Sequence, residues 1–144
     1  MNRKAFTLIE LLIVVVLVAI VTAIALPAYQ ENVRKARRAE AKASVTAATM
    51  AMERYYMAGS PSTYVGASLG SGSGDIYPSQ APLDGNKKFY NLSLSNLAAT
   101  TYTVTATPIN GQQADRCGSL TINQLGVLGV SGQSSGVTWQ DCWE

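Results

Sequence analysis

Histidine is absent from this chain of 144 residues, and cysteine occurs only twice. Without histidine there can be no Ser-His-Asp triad, no Cys-His dyad and no histidine-ligated metal site. The sequence also lacks a C-x-x-C pair, a phosphate-binding loop, a calcium-loop pattern and a catalytic carboxylate pair. We therefore predict that the protein is not an enzyme and has no metal and no cofactor. The aspartates of its second half are predicted to be solvated loop carboxylates: Asp75, Asp84, Asp115 and Asp141.

Charged residues are scarce, at 14% of the chain against about 25% in an average soluble domain. Residues 28–58 carry six cations and three anions, whereas residues 59–144 carry three cations and five anions. A mildly acidic C-terminal half disfavours nucleic-acid binding, which needs many cations on one face. The basic cluster at residues 34–38 is more simply a contact with the membrane surface or with another subunit.

The apolar residues are concentrated near the N-terminus. Residues 6–26 contain a single charged side chain, Glu10, and as a helix they would span about 32 Å, close to the hydrocarbon core of a bilayer. We predict a single membrane-spanning helix, held with its N-terminus on the cytoplasmic side by Arg3 and Lys4. A cleaved signal peptide and a plain single-pass anchor are alternatives. A carboxylate inside such a run is costly, so Glu10 suggests a function beyond anchoring.

Residues 3–12, which read RKAFTLIELL, resemble the leader and mature N-terminus of type IV prepilins, and Pro27 stands where these pilins carry a proline. The resemblance implies cleavage between Ala5 and Phe6 by prepilin peptidase and N-methylation of Phe6. It also implies that Glu10 pairs with the N-terminus of a neighbouring subunit during fibre assembly, so that the pair selects the register of the subunits. Ala5 departs from the family, which usually has glycine before the cleavage point.

Residues 28–58 are rich in strong helix formers and contain no glycine or proline, so they continue the helix as an amphipathic segment. Pro27 removes a backbone donor, and we expect a kink or local unwinding there. An apolar stripe with helical spacing is predicted as the packing face of this segment, and it consists of Val33, Ala36, Ala43, Ala47, Met50 and Ala51.

The C-terminal half, residues 59–144, is predicted as a globular head. Residues 59–86 are rich in glycine, serine and proline and indicate a surface loop. Alternating patterns at 88–95, 101–107 and 119–123 predict a sheet of three or four antiparallel strands within residues 87–123. The fold class is therefore α+β, with one face of the sheet packed on the helix.

Cys117 and Cys142 would lie on the exported, oxidising side of the membrane. A disulfide between them would stabilise the head by about 3.5 kcal/mol through chain entropy, and two free buried thiols are the alternative. Residues 117–143 resemble the C-terminal region of PilE-like minor pilins, in which a disulfide bounds the D-region. The resemblance implies a pilin fold with a disulfide-bounded D-region at residues 117–142.

The sequence as a whole predicts a structural subunit of a type IV pilus, most like a minor pilin. Its roles would lie in pilus assembly or initiation, and hence in twitching motility, adhesion or DNA uptake. A type II secretion pseudopilin and the major pilin of the fibre are alternatives. The implied partners are other pilin subunits, prepilin peptidase, the pilus assembly platform and the inner membrane, with DNA disfavoured by charge. The resemblance implies a leader at residues 1–5, a membrane and fibre-core helix at 6–27, an inner-membrane precursor and an extracellular mature subunit.

Overall fold

The computed structural model describes residues 7–144. By its internal contacts the chain divides into one unit that ends at Arg34 and a second unit from Lys35 to Glu144. Two helices and five strands follow in chain order: α1 Leu8–Ala58, β1 Gln80–Ala81, β2 Tyr90–Ser95, β3 Thr103–Pro108, β4 Ser119–Asn123, β5 Leu128–Ser131 and α2 Trp139–Trp143.

The first unit consists of the N-terminal part of α1. Every large apolar side chain from Leu8 to Leu26 is between 47% and 81% exposed. By length and composition the segment is long and apolar enough to cross a membrane. The helix continues through Pro27 without interruption. The expected local unwinding at Pro27 is therefore wrong, since a proline inside a helix removes only one hydrogen bond and the flanking turns remain hydrogen-bonded.

In the second unit, α1 buries a face different from the predicted stripe. The buried positions recur every three or four residues and comprise Arg38, Ala41, Ser44, Val45, Ala48, Ala51 and Met52. Of the predicted stripe only Ala51 belongs to this set, while Ala36, Ala43 and Met50 are exposed. The prediction was wrong because the helix contains alanine on all sides, so that apolar spacing alone could not distinguish the packed face.

The sheet is an antiparallel meander with the strand order β1-β2-β3-β4-β5. The alternation inferred from the sequence holds, because Tyr90, Leu92, Val104, Ala106 and Leu120 are buried in one core. These side chains share that core with Ala41, Val45, Ala48 and Met52 of α1. Burying each large apolar side chain of this kind stabilises the fold by about 1.5–3 kcal/mol.

The sheet has five strands rather than the three or four that were predicted. Strand β1 lies inside the predicted loop 59–86 and pairs only two residues, Gln80 with Asn91 and Ala81 with Tyr90. Strand β5 lies inside the predicted D-region and pairs along β4 from Leu128 to Ser131. Both were missed because neither has enough alternating positions to produce a pattern: β1 is two residues long, and β5 reads Leu-Gly-Val-Ser.

The C-terminal segment is closed onto the sheet by a disulfide. Cys117 and Cys142 are joined with a Cα–Cα distance of 5.7 Å, which links the residue before Gly118 and β4 to α2. Gly118 has a φ of +60°, and a Cβ added there would lie 2.4 Å from the carbonyl oxygen of Ser131. Only glycine fits this position without strain, since both the backbone conformation and the close approach exclude a side chain.

Candidate functional site

The first candidate position, Glu10, lies in the first turn of α1. One of its carboxylate oxygens accepts hydrogen bonds from the backbone N–H of Thr7 at 3.2 Å and from the Thr7 hydroxyl at 3.0 Å. The Glu10 backbone N–H in turn donates to the Thr7 hydroxyl oxygen at 3.3 Å. This reciprocal arrangement is a capping box, which satisfies donors that the start of a helix leaves unpaired. Glu10 is exposed, so the same carboxylate is accessible to a neighbouring subunit.

The predicted processing residues, Ala5 and Phe6, lie outside the described residues, as do Arg3 and Lys4. Pro27 is exposed in α1.

The second unit contains a buried ion pair that the sequence did not reveal. The Arg38 guanidinium donates to both carboxylate oxygens of Asp115, at 3.0 Å and 2.5 Å. The Asp115 carboxylate also accepts hydrogen bonds from the Tyr90 hydroxyl at 3.1 Å, Gln112 Nε2 at 2.9 Å and the Cys117 backbone N–H at 3.1 Å. Arg38 and Asp115 are each only 5% exposed.

This network corrects the prediction that Asp115 is a solvated loop carboxylate. Burial by itself would raise the pKa of Asp115, but the hydrogen bonds from Arg38 and from the Cys117 N–H outweigh it and hold the pKa below its ordinary value. Asp115 is thus ionised and links α1, through Arg38, to the loop that ends at Cys117. The pair fixes the start of the disulfide-bounded segment against the helix.

A second carboxylate is surrounded by tyrosines. The Glu53 carboxylate accepts hydrogen bonds from the Tyr64 hydroxyl at 3.0 Å and from the Tyr102 hydroxyl at 2.8 Å. The rings of Tyr64 and Tyr102 meet edge to face, with 4.7 Å between their centroids, and the tilted ring of Tyr56 lies 4.6 Å from that of Tyr64. Burial and the neighbouring Glu53 raise the pKa of Tyr64 to about 12. This cluster joins the C-terminal end of α1 to the first part of the loop and to the residue before β3.

A groove on the surface of the second unit is lined by positively charged side chains. It has a volume of about 610 Å³ and is lined by Arg37, Gln80, Asn86, Lys87, Lys88, Phe89 and Asn110. These seven residues include three cations and no carboxylate. The Arg37 guanidinium lies over the ring of Phe89, 3.7 Å from its centroid, which is a cation–π contact.

Several hydrogen bonds fix the walls of this groove. Lys88 Nζ donates to the carbonyl oxygens of Pro82 and Leu83 at 2.8 Å and 2.9 Å, which closes the loop that precedes β2. Asn110 Nδ2 donates to the carbonyl oxygen of Lys88 at 2.9 Å, which ties the loop after β3 to the segment that precedes β2. The groove therefore presents cations and side-chain amides on a backbone that is already ordered. Among residues 7–144 no group of histidine, cysteine, aspartate and glutamate has a geometry suited to a metal ion.

A long apolar N-terminal helix, an antiparallel meander that packs on the C-terminal part of that helix and a C-terminal disulfide together define a type IV pilin. A family model described as "Type IV minor pilin ComP, DNA uptake sequence receptor" matches residues 27–121, and a "Prokaryotic N-terminal methylation motif" model matches residues 1–26. The first match covers more than half of the chain. The chain therefore belongs to the type IV minor pilin family that this model describes.

Individual relatives include a type IV major pilin and a fimbrial protein. The chain is 44% identical over 55 residues to the type IV major pilin protein PilE1 of Neisseria gonorrhoeae, covering 38% of this chain and 33% of the relative. It is 54% identical over 39 residues to a fimbrial protein of Moraxella nonliquefaciens, covering 27% of this chain and 25% of the relative. The matched segments thus span about a third or less of the length of these relatives.

The fold is also that of a solved minor pilin. The non-core minor pilin PilV of Neisseria meningitidis superposes with a TM-score of 0.52 at 22% identity, covering 74% of this chain and 94% of that chain. At this identity the similarity bears on the fold alone, and it confirms the predicted pilin fold.

Proposed function

We propose that this chain is a structural subunit of a type IV pilus, with the role of a minor pilin in pilus assembly or initiation. The observation that carries the proposal is the exposure of every large apolar side chain from Leu8 to Leu26, in a chain of the minor pilin family. An exposed apolar surface of this size is unstable in water and has to be covered by lipid or by other helices. Lipid would cover it in the precursor, and neighbouring subunits would cover it in the fibre.

The maturation steps are part of this proposal. Prepilin peptidase would cleave between Ala5 and Phe6 and methylate Phe6, as the methylation motif matched at residues 1–26 suggests. The precursor would be anchored in the inner membrane with its N-terminus in the cytoplasm and its head outside. An assembly platform would then move the subunit into the fibre, where Glu10 and Pro27 would take part in assembly.

Glu10 is proposed to set the register of subunits in the fibre. In the single chain its carboxylate is already engaged in the capping box with Thr7. A positively charged N-terminus of a neighbour is a stronger partner than a hydroxyl, because hydrogen bonds between ionised groups are about twice as strong as neutral ones. A carboxylate left without such a partner among packed apolar helices would cost several kcal/mol, so only one axial offset is favourable.

The substitution Glu10→Gln tests this role, because glutamine keeps an oxygen that can accept the Thr7 hydrogen bonds while losing the charge. We expect Glu10→Gln to accumulate in the membrane at the wild-type level and to be depleted from sheared fibres, as measured by immunoblotting of both fractions. Thr7→Val, which removes the hydroxyl and keeps the charge, is the matched control and should still enter fibres. Wild-type amounts of Glu10→Gln in fibres would contradict the proposed pairing.

Binding of DNA is a second candidate function, which the groove supports. The chain matches a family model described as a DNA uptake sequence receptor. Averaging charge over residues 59–144 disfavoured DNA, but Arg37 belongs to α1 and was not counted in that segment, although it lines the same groove as Lys87 and Lys88. Titration of the full chain in detergent micelles with a labelled duplex at two salt concentrations tests it. Binding that weakens with salt is expected, and no binding at low salt would contradict it.

A further inference from the structure

The groove is lined by two kinds of polar side chain, cations and amides, and this combination is the basis of an inference that rests on the proposed DNA binding. Cations bind phosphates without regard to sequence, whereas amides can distinguish bases.

Arg37 and Lys87 are the groove cations suited to phosphate contacts. The stacking on Phe89 holds the Arg37 guanidinium flat and leaves the donors at its edge free to point outward. Lys87 is exposed, and within residues 7–144 neither cation forms an ion pair with a carboxylate. Lys88 differs from both, because its ammonium group is engaged with two carbonyl oxygens and serves to order the loop.

The amides of Asn86 and Asn110 are the groove side chains suited to base contacts. Asn86 is exposed on the loop that Lys88 closes. Asn110 uses one amide hydrogen for the carbonyl oxygen of Lys88 and keeps its oxygen and its second hydrogen available. An asparagine amide matches the N6 and N7 edge of adenine with two hydrogen bonds, which is the specific pairing that its donor and acceptor allow.

We propose that this groove divides DNA recognition between Arg37 and Lys87, which bind backbone phosphates, and the amides of Asn86 and Asn110, which contact adenine bases. Phe89 is a positioning residue that acts through Arg37. The groove therefore reads a short adenine-containing sequence.

Selection from a randomised duplex library by the full-length chain in detergent micelles tests the assignment, with the bound DNA sequenced and its affinity measured over a range of salt. We expect wild-type protein to enrich adenine at one or two positions. Replacing both Asn86 and Asn110 by serine should abolish the adenine enrichment, which we expect to be about tenfold for the wild-type protein. Lys87→Gln should reduce the slope of log affinity against log salt by about one and leave the enrichment unchanged. Arg54→Gln, the same charge change at an exposed helix residue outside the groove, is the matched control and should alter neither.

The outcomes separate the two proposals. If wild-type protein binds no DNA, the DNA-binding proposal fails and this assignment fails with it. If wild-type protein binds DNA and the double asparagine variant keeps the wild-type enrichment, the assignment of the amides is overturned while DNA binding stands. If Lys87→Gln and Arg54→Gln change the salt slope equally, the groove is not the phosphate contact.

Discussion

The sharpest stability prediction concerns the buried ion pair between Arg38 and Asp115. Asp115→Ala removes the acceptor of five hydrogen bonds, two of them from Arg38. The Arg38 side chain is 6% exposed in the pair and would lose both of its hydrogen bonds to Asp115 while remaining buried and charged. Removing one partner of such a pair costs about 3–5 kcal/mol. That is a large fraction of the stability of a domain, which is about 5–15 kcal/mol.

Urea unfolding of the full chain in detergent micelles, followed by tryptophan fluorescence, measures this loss. The exposed Asp84→Ala is the matched control and should change the free energy of unfolding by less than about 0.5 kcal/mol. Asp115→Asn keeps the shape of the side chain but removes the charge and one acceptor oxygen, and it is the second variant in case the alanine variant does not fold. A paired change, Arg38→Met with Asp115→Leu, should cost less than Asp115→Ala because no charge is left buried. An Asp115→Ala protein within about 1 kcal/mol of the Asp84→Ala control, a margin well below the expected loss, would refute the reasoning.

Three further predictions concern the second unit. The pKa of Asp115 is lower in the folded chain than in the unfolded chain, so the stabilisation that it provides is present above about pH 4 and is lost as the pH falls further. Acid unfolding, followed by circular dichroism, should therefore begin at a lower pH in the wild-type protein than in Asp115→Asn. Replacing both Cys117 and Cys142 by serine should lower the free energy of unfolding by about 3.5 kcal/mol, and a urea midpoint equal to that of the wild type would contradict this. Glu53→Gln should lower the pKa of Tyr64 from about 12 towards its ordinary value, and an unchanged ultraviolet titration would show that Glu53 does not influence the tyrosine.

The parts of the fold that the sequence could predict are those with a repeating pattern. The long apolar run predicted the exposed part of α1, and the alternation of apolar and polar residues predicted the buried faces of β2, β3 and β4. Residues 3–12 and the segment 117–143, which contains the cysteine pair, predicted the family because they resemble it over consecutive positions. Short elements such as β1 contain too few residues to produce a pattern, and they are recognised only by their pairing with a neighbouring strand in the folded chain.

The parts that the sequence could not predict depend on contacts between distant residues. Arg38 and Asp115 are separated by 77 positions, and nothing near either one marks them as partners. The buried face of α1 continues from Arg38 through Ala41 and Val45 at helical spacing, but an arginine was not considered a core residue. The groove was missed for the same reason, since Arg37 and Lys87 are brought together only when the helix packs on the sheet.

The central claim is that this chain is a processed subunit of a pilus, and the mass of the intact protein tests it most directly. The protein would be isolated from sheared surface fibres and, separately, from membranes. The fibre protein should lack residues 1–5, carry one additional methyl group on Phe6 and be lighter by two hydrogens for the bond between Cys117 and Cys142. It should also be scarce beside another pilin, as expected for a minor subunit. Full-length protein confined to the membrane fraction would contradict the account, and a plain membrane anchor would then explain the apolar helix.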